Sequence, residues 1–327
     1  MRFLLLLLLL TGCAAPTASP AASSGPPPPS LVPFPSPSAS SPEPRPLSLA
    51  PEPPASSPAV PGTSSAPEPP PPPEGMALVP AGPFLMGADS EGELDERPAH
   101  TVNLPAFYLD LTEVTNEAYQ KCVDAGICRP HDKTNARVNK VGDDRAFRRP
   151  QQPISAVSWD DAVAYCSWVG KRLPTEAEWE KAARGAEGRK YPWGSEFPTR
   201  KHAVFGEGTT ADVGSRPEGK GPYGHLDLAG NVWEWVSDFY DPYAYRRPRA
   251  AEGIHGTCEE TLEAFADLRR KHMQGFTGTN PIPTECERVL RGGAFNYHAR
   301  GLRASNRVHH PGRFRLIMSG FRCARDL

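Results

Sequence analysis

No apolar run in this chain is long enough to cross a bilayer. The longest, Phe3 to Leu10, is eight residues, where a spanning helix needs about 20. Neither sign of charge is in excess: 36 Lys and Arg stand against 38 Asp and Glu, a net −2. That gives no whole-chain field to draw nucleic acid. Cysteine is sparse, seven in 327 residues, and neither Cys nor His shows zinc-type spacing. Long periodic runs are also missing from Tyr191 to Gly224, which is rich in Gly, Pro and Thr. Such irregular chain needs other ties, with disulfides and bound metal the candidates.

Proline, by contrast, is abundant. More than half of the 40 prolines fall within residues 14 to 75, mixed with Ala, Ser and a few Glu. Nothing there could bury a core, so a disordered, partly polyproline II tether is expected. Fully extended at ~3.1 Å per residue, it would reach on the order of 190 Å. Before it, Met1-Arg2 and the short apolar run read as an export signal. They end in "LTGC", which resembles a bacterial lipobox. The resemblance implies cleavage before Cys13 and lipidation of that residue, with several acyl chains giving a stable membrane anchor. Plain secretion with a free Cys13 is the alternative. Ala14, where Asp would direct retention, points to the outer membrane of a bacterial cell envelope.

Residues 76 to 327 suit one large domain. "GMALVPAGPFLMG" (75 to 87) predicts two short strands about a turn, and "HTVNLPAFYLD" (100 to 110) one more. "TNEAYQKCVDAG" predicts a helix capped by Thr115 and closed by Gly126. Ser158 with Asp161, and Thr175 with Glu178, open two further helices as capping boxes, and Gly185 closes the second. On the first of these, Trp159, Val163, Cys166 and Val169 share a face. Trp179 reads as a core anchor. Residues 241 to 287 read as an insertion with one helix, and a Cys258–Cys286 bridge would staple its ends. The even count of six cysteines after Cys13 fits disulfides and leaves many pairings open.

"RVLRGGAFNYHARGLRASNR" (288 to 307) holds a glycine pair, Gly292-Gly293, of the kind that marks a sharp turn or a close approach. It contains no obvious nucleophile. Together with "MALVPAGPFLMGAD", "DERPAHTVNLPAFYLDLTEVTNEAY", "PISAVSWDDAVAYCSWVGKRLPTEAEWEKAARG" and "GHLDLAGNVWEWVSDFY", it resembles the formylglycine-generating enzyme, or sulfatase-modifying factor, family. The stretches come in the family's order and cover nearly all of residues 76 to 327. The resemblance implies a single α/β (α+β) domain with little regular secondary structure, related to the C-type-lectin-like fold. It also implies a copper(I)-binding cysteine pair, and on this chain those positions are Tyr297 and Leu302. The motif's serine is Ala294. Neither a phenol nor an aliphatic chain supplies the soft thiolates that copper(I) selects, so no copper is expected.

The resemblance further implies a Cys166–Cys323 disulfide. A second family disulfide maps to Ala183 and Arg307, both changed. Cys122 and Cys128, close together at a helix end, make a local bridge the economical pairing. A calcium site is implied at "DLAGNVWE", with the side chains of Asp227 and Glu234 and the carbonyls of Gly230 and Val232. Roughly six to eight oxygens suit that ion; by spacing alone the pattern is a turn. The family's other calcium site maps to Ala203, which offers no side-chain ligand.

Three functions follow from these readings. One is a non-catalytic binding or scaffold module of the envelope, engaging an envelope protein or an acidic ligand. Nine arginines lie between Arg288 and Arg325; either Arg300 and Arg303 line a groove for an acidic group, or the run is a solvated, partly ion-paired surface. The second is an oxidoreductase of different chemistry on the same frame, pyoverdine-maturation-like, with Tyr297 and His298 as candidate catalytic residues. His309 and His310 point apart in a strand and make no metal pair. The third is a true formylglycine-generating oxidase, which the missing cysteines disfavour.

Overall fold

The computed structural model describes residues 71–131, 144–253, 256–273 and 282–327. The leader, Cys13, the tether to residue 70 and part of the 241–287 segment lie outside them. The domain is a mixed α/β fold of short elements. Strand β1 (Met76–Val79) pairs antiparallel with β4 (Phe107–Asp110), and β4 with β9 (Ala324–Asp326). Strands β2 (Gly82–Met86) and β3 (His100–Leu104) form a separate hairpin pair. The "HTVNLPAFYLD" segment, expected as one strand, is thus two. Pro105 lies between them and has no N–H for a ladder. A four-stranded sheet has the order β7-β6-β5-β8: β7 (Arg307–His310), β6 (Arg288–Arg291), β5 (Trp233–Phe239) and β8 (Ser319–Gly320). Only the β5–β8 pairing in it is parallel.

The helix signals behave as their chemistry dictates. In α1 (Asn116–Asp124) the Thr115 hydroxyl accepts from Ala118 N. Helices α2 (Trp159–Trp168) and α3 (Glu176–Arg184) both open with complete capping boxes. The buried face of α2 differs from the expected one: Ala162, Tyr165 and Cys166 are buried and Val169 is exposed. A fourth helix, α4 (Cys258–Arg270), carries its own box from Thr257 to Glu260. Three disulfides join Cys122 to Cys128, Cys166 to Cys323 and Cys258 to Cys286.

Helix α3 organises the interior. Trp179, Ala182 and Ala183 join the main apolar cluster with Phe84, Met86, Val236 and Val289. Yet all nine of its residues are buried, including Glu176, Glu178, Glu180, Lys181 and Arg184. Buried charge persists only when paired and hydrogen-bonded. Lys181 donates to the carbonyls of Pro80 and Gly82. Glu176 and Glu180 receive Arg291, which pairs with Glu176 at 2.8 Å. Arg307 forks onto Glu176 through Nε at 2.6 Å and Nη2 at 2.9 Å. Arg307 therefore stands in an ion-pair network where the family resemblance implied a disulfide.

Candidate functional site

The segment after β6 forms the frame of the site. Gly292 and Gly293 have φ of +99° and +86°. A Cβ at Gly293 would meet Leu302 at 2.7 Å, and one at Gly292 would meet Trp179 at 3.1 Å. Only glycine lets the backbone turn this tightly against both side chains. Beyond the turn, Ala294 and Phe295 are buried, Tyr297 is half-buried and His298 is exposed. The Tyr297 ring stands edge-on to Trp233 with centroids 5.2 Å apart. Burial pushes its phenol above the ordinary value. Leu302 is fully buried beside Tyr191, Ala203 and Ala229. The two positions of the expected thiol pair are thus an aromatic edge and an aliphatic core residue.

The arginine run is divided. Arg291, Arg307 and Arg322 are fully buried and ion-paired, which corrects the solvated-surface reading for these three, whereas Arg313 and Arg325 are exposed. Arg288 is sandwiched between Trp159 and Phe239, at 3.8 and 3.6 Å from their ring centroids. Arg303 is buried too: it pairs with Glu96 and donates to the Arg300 carbonyl. Arg300 is exposed and pairs with Glu93 at 2.6 Å. Each of the two therefore already carries an acidic partner from the segment before β3. His309 is buried, stacked on Tyr240 at 3.8 Å and paired with Glu287, whereas His310 stacks on Phe314.

The "DLAGNVWE" loop carries the other set of polar groups. Asp227, Gly230 and Asn231 all take left-handed backbone, at φ of +57°, +87° and +58°. A Cβ at Gly230 would strike the Val204 carbonyl at 2.4 Å. Asp227 accepts from Gly214 N at 2.5 Å. Glu234 receives the Arg322 fork at 2.7 and 2.8 Å and the Trp179 indole at 2.9 Å. Glu113, which the sequence reading passed over, takes Asn231 Nδ2 and Val232 N. It precedes the α1 cap with no motif spacing to mark it. Burial, then Asp227 and Glu234, hold its carboxyl well above the usual range. Burial likewise raises Asp227. Nearby His225 is buried, and burial followed by Arg322 lowers its pKa to about 3. Three buried carboxylates thus face one buried guanidinium.

Comparison with known proteins gives a consistent picture. The family model described as "Sulfatase-modifying factor enzyme 1-like domain" matches residues 63–327. The chain is 30% identical over 311 residues to the formylglycine-generating enzyme of Bos taurus, covering 78% of this chain and 75% of that one. It is 34% identical over 286 residues to the hercynine oxygenase of Mycolicibacterium smegmatis, covering 76% of this chain and 61% of that protein. The solved structure of PvdO from Pseudomonas aeruginosa superposes with a TM-score of 0.60 at 27% identity, covering 77% and 94% of the respective chains. With the ordered motifs, the glycine turn and the match over four-fifths of its length, this chain belongs to the sulfatase-modifying factor enzyme 1-like family.

Proposed function

We propose that the domain is a non-catalytic binding module of the bacterial cell envelope, carried on a lipid anchor at Cys13. The observation behind this reading is the replacement of the thiol pair by Tyr297 and Leu302. Leu302 is closed inside an apolar cluster. The raised phenol of Tyr297 stays protonated at neutral pH and is a poor copper(I) ligand. All six cysteines of the described residues are in disulfides, so none of them offers a thiolate for nucleophilic attack. The test uses full-length protein with copper(I), oxygen, a reductant and a Cys-x-Pro-x-Arg peptide. The peptide mass should stay unchanged. Aldehyde formation above a metal-free control would refute the reading.

The likeness to PvdO and hercynine oxygenase supports a second reading, an oxidoreductase of different chemistry on this frame. Its candidate residues are Tyr297 and the adjacent exposed His298, their rings 6.5 Å apart.

We also infer that calcium supports the "DLAGNVWE" loop. Asp227 and Glu234 would hold it by their carboxylates, and Gly230 and Val232 by their carbonyls. The donors are hard oxygens, as calcium requires. The surplus of buried carboxylate over guanidinium favours a cation. Among the described residues Glu234 Oε1 accepts from Arg322 alone, which leaves it a lone pair. Bound there, the ion would neutralise the loop and fix its left-handed turns.

A further inference from the structure

A cavity of about 330 Å³ lies between the loop after β2 and the segment after α3, walled in part by Leu85, Ala88, Asp89, Glu91, Lys190 and Arg303. We propose that it binds a small zwitterion of the α-amino-acid class, held by its carboxylate on Lys190 and Arg303 and by its ammonium on Asp89 and Glu91. This rests on the binding-module reading and names its ligand class.

Both signs of charge face one space. Lys190 and Glu91 form an ion pair, with side chains 38% and 65% exposed. An ammonium has three donors, and Glu91 takes one of them. The hydrogen bond and charge of Lys190, followed more weakly by the charge of Arg303, draw Glu91 below the usual carboxylate range. Asp89 accepts from Ala99 N through Oδ1, and its Oδ2 has no partner among the described residues. Arg303 Nε is buried and also without a partner among them. A buried donor left unmet costs about 1–3 kcal/mol. Asp89 and Glu91 disfavour a lone anion here, and Lys190 and Arg303 disfavour a lone cation. A zwitterion answers both.

Size and rigidity agree with this. Ligand cavities begin at about 300 Å³, so the space suits a single amino acid. Leu85 and Ala88 give it an apolar strip for a small aliphatic side chain. The loop is held in place before any ligand arrives. Gly87 N donates to Glu180 at 2.7 Å, and Gly87 packs so closely on the Glu96 carbonyl that a Cβ there would sit 2.5 Å from it. Such preorganisation lowers the ordering cost of binding.

The experiment titrates full-length protein with each standard L-α-amino acid in turn, by calorimetry. The tightest ligand is then compared with its N-acetyl derivative, its amide and inorganic phosphate. At least one amino acid should bind with a Kd near or below about 1 mM. Blocking either end should weaken binding at least about tenfold, and so should Lys190→Met and Asp89→Asn. Both variants alter exposed or edge groups, so they test the site even if Arg303→Ala fails to fold. Absence of binding for every amino acid would overturn the proposal. Equal binding of phosphate or the N-acetyl derivative would overturn it in favour of a simple anion site. The peptide-oxidation assay on the same sample separates the two ideas. No binding with no aldehyde removes the cavity proposal and leaves the module, whereas aldehyde removes the module itself.

Discussion

Replacing Arg307 by Met should destabilise the domain, and the structure sets by how much. The guanidinium is fully buried, forks onto Glu176 and also donates to the carbonyl of Asp95. It lies over Tyr245 and Tyr240, at 4.6 and 5.0 Å from their centroids. Removing one partner of a buried pair costs about 3–5 kcal/mol when the other charge is left alone. Glu176 keeps Arg291 at 2.8 Å, so the lower end, about 3 kcal/mol, applies to Arg307→Met. At about 2–4 °C per kcal/mol for a domain this large, the melting temperature should fall by about 6–12 °C. Glu176→Met should cost more, because Arg307 then loses both of its carboxylate hydrogen bonds. The double variant should recover much of the loss, since apolar residues can replace a buried pair at little net cost. Urea unfolding of the three variants gives the cycle. A loss under about 1 kcal/mol for Arg307→Met, or simple additivity in the double variant, would refute this account of the interior.

A chelator should lower the melting temperature, and calcium rather than magnesium should restore it, as mass action on a folded-state ligand requires. An unchanged melting curve would sink the site. His225, lowered from 6.5 to about 3, contributes stability that is full above pH 6.5 and lost as pH falls toward 3. Between pH 7 and pH 5 the wild type should lose about 2 kcal/mol relative to His225→Leu; parallel urea midpoints would show otherwise. Cys13→Ala should shift the protein from the membrane to the soluble fraction and abolish fatty-acid labelling, and an unlabelled, soluble wild type would contradict the anchor.

The sequence made the local features of this fold legible because each is decided within a few residues. Thr115, Ser158 and Thr175 cap helices through a backbone N–H three positions on. Trp179 is a core residue because nothing else about its helix could bury so much apolar surface. What stayed hidden was set by distant pairing. Arg291 and Glu176 meet across 115 residues, so no spacing distinguishes a buried arginine from a solvated one. Glu113 is equally silent: its partners, Asn231 and Val232, lie more than a hundred residues on. The glycine pair announced a close approach but not its neighbours, Leu302 and Trp179. Pro105 was visible as a residue, and its splitting of one expected strand into β3 and β4 follows from its missing N–H.

The placement of β1 and β9 has a mechanical consequence. Strands β1 and β9 flank β4 and run parallel to each other. The first residue of β1, Met76, lies opposite Asp110, while Asp326 at the end of β9 lies opposite Phe107. The chain therefore enters β1 and leaves β9 at opposite ends of β4. Tension between those two points loads the rungs in shear, all together, instead of peeling them one at a time. Peeling of β9 from its C-terminal side halts at Cys323, whose bond to Cys166 is covalent, so helix α2 must come with anything drawn out beyond it.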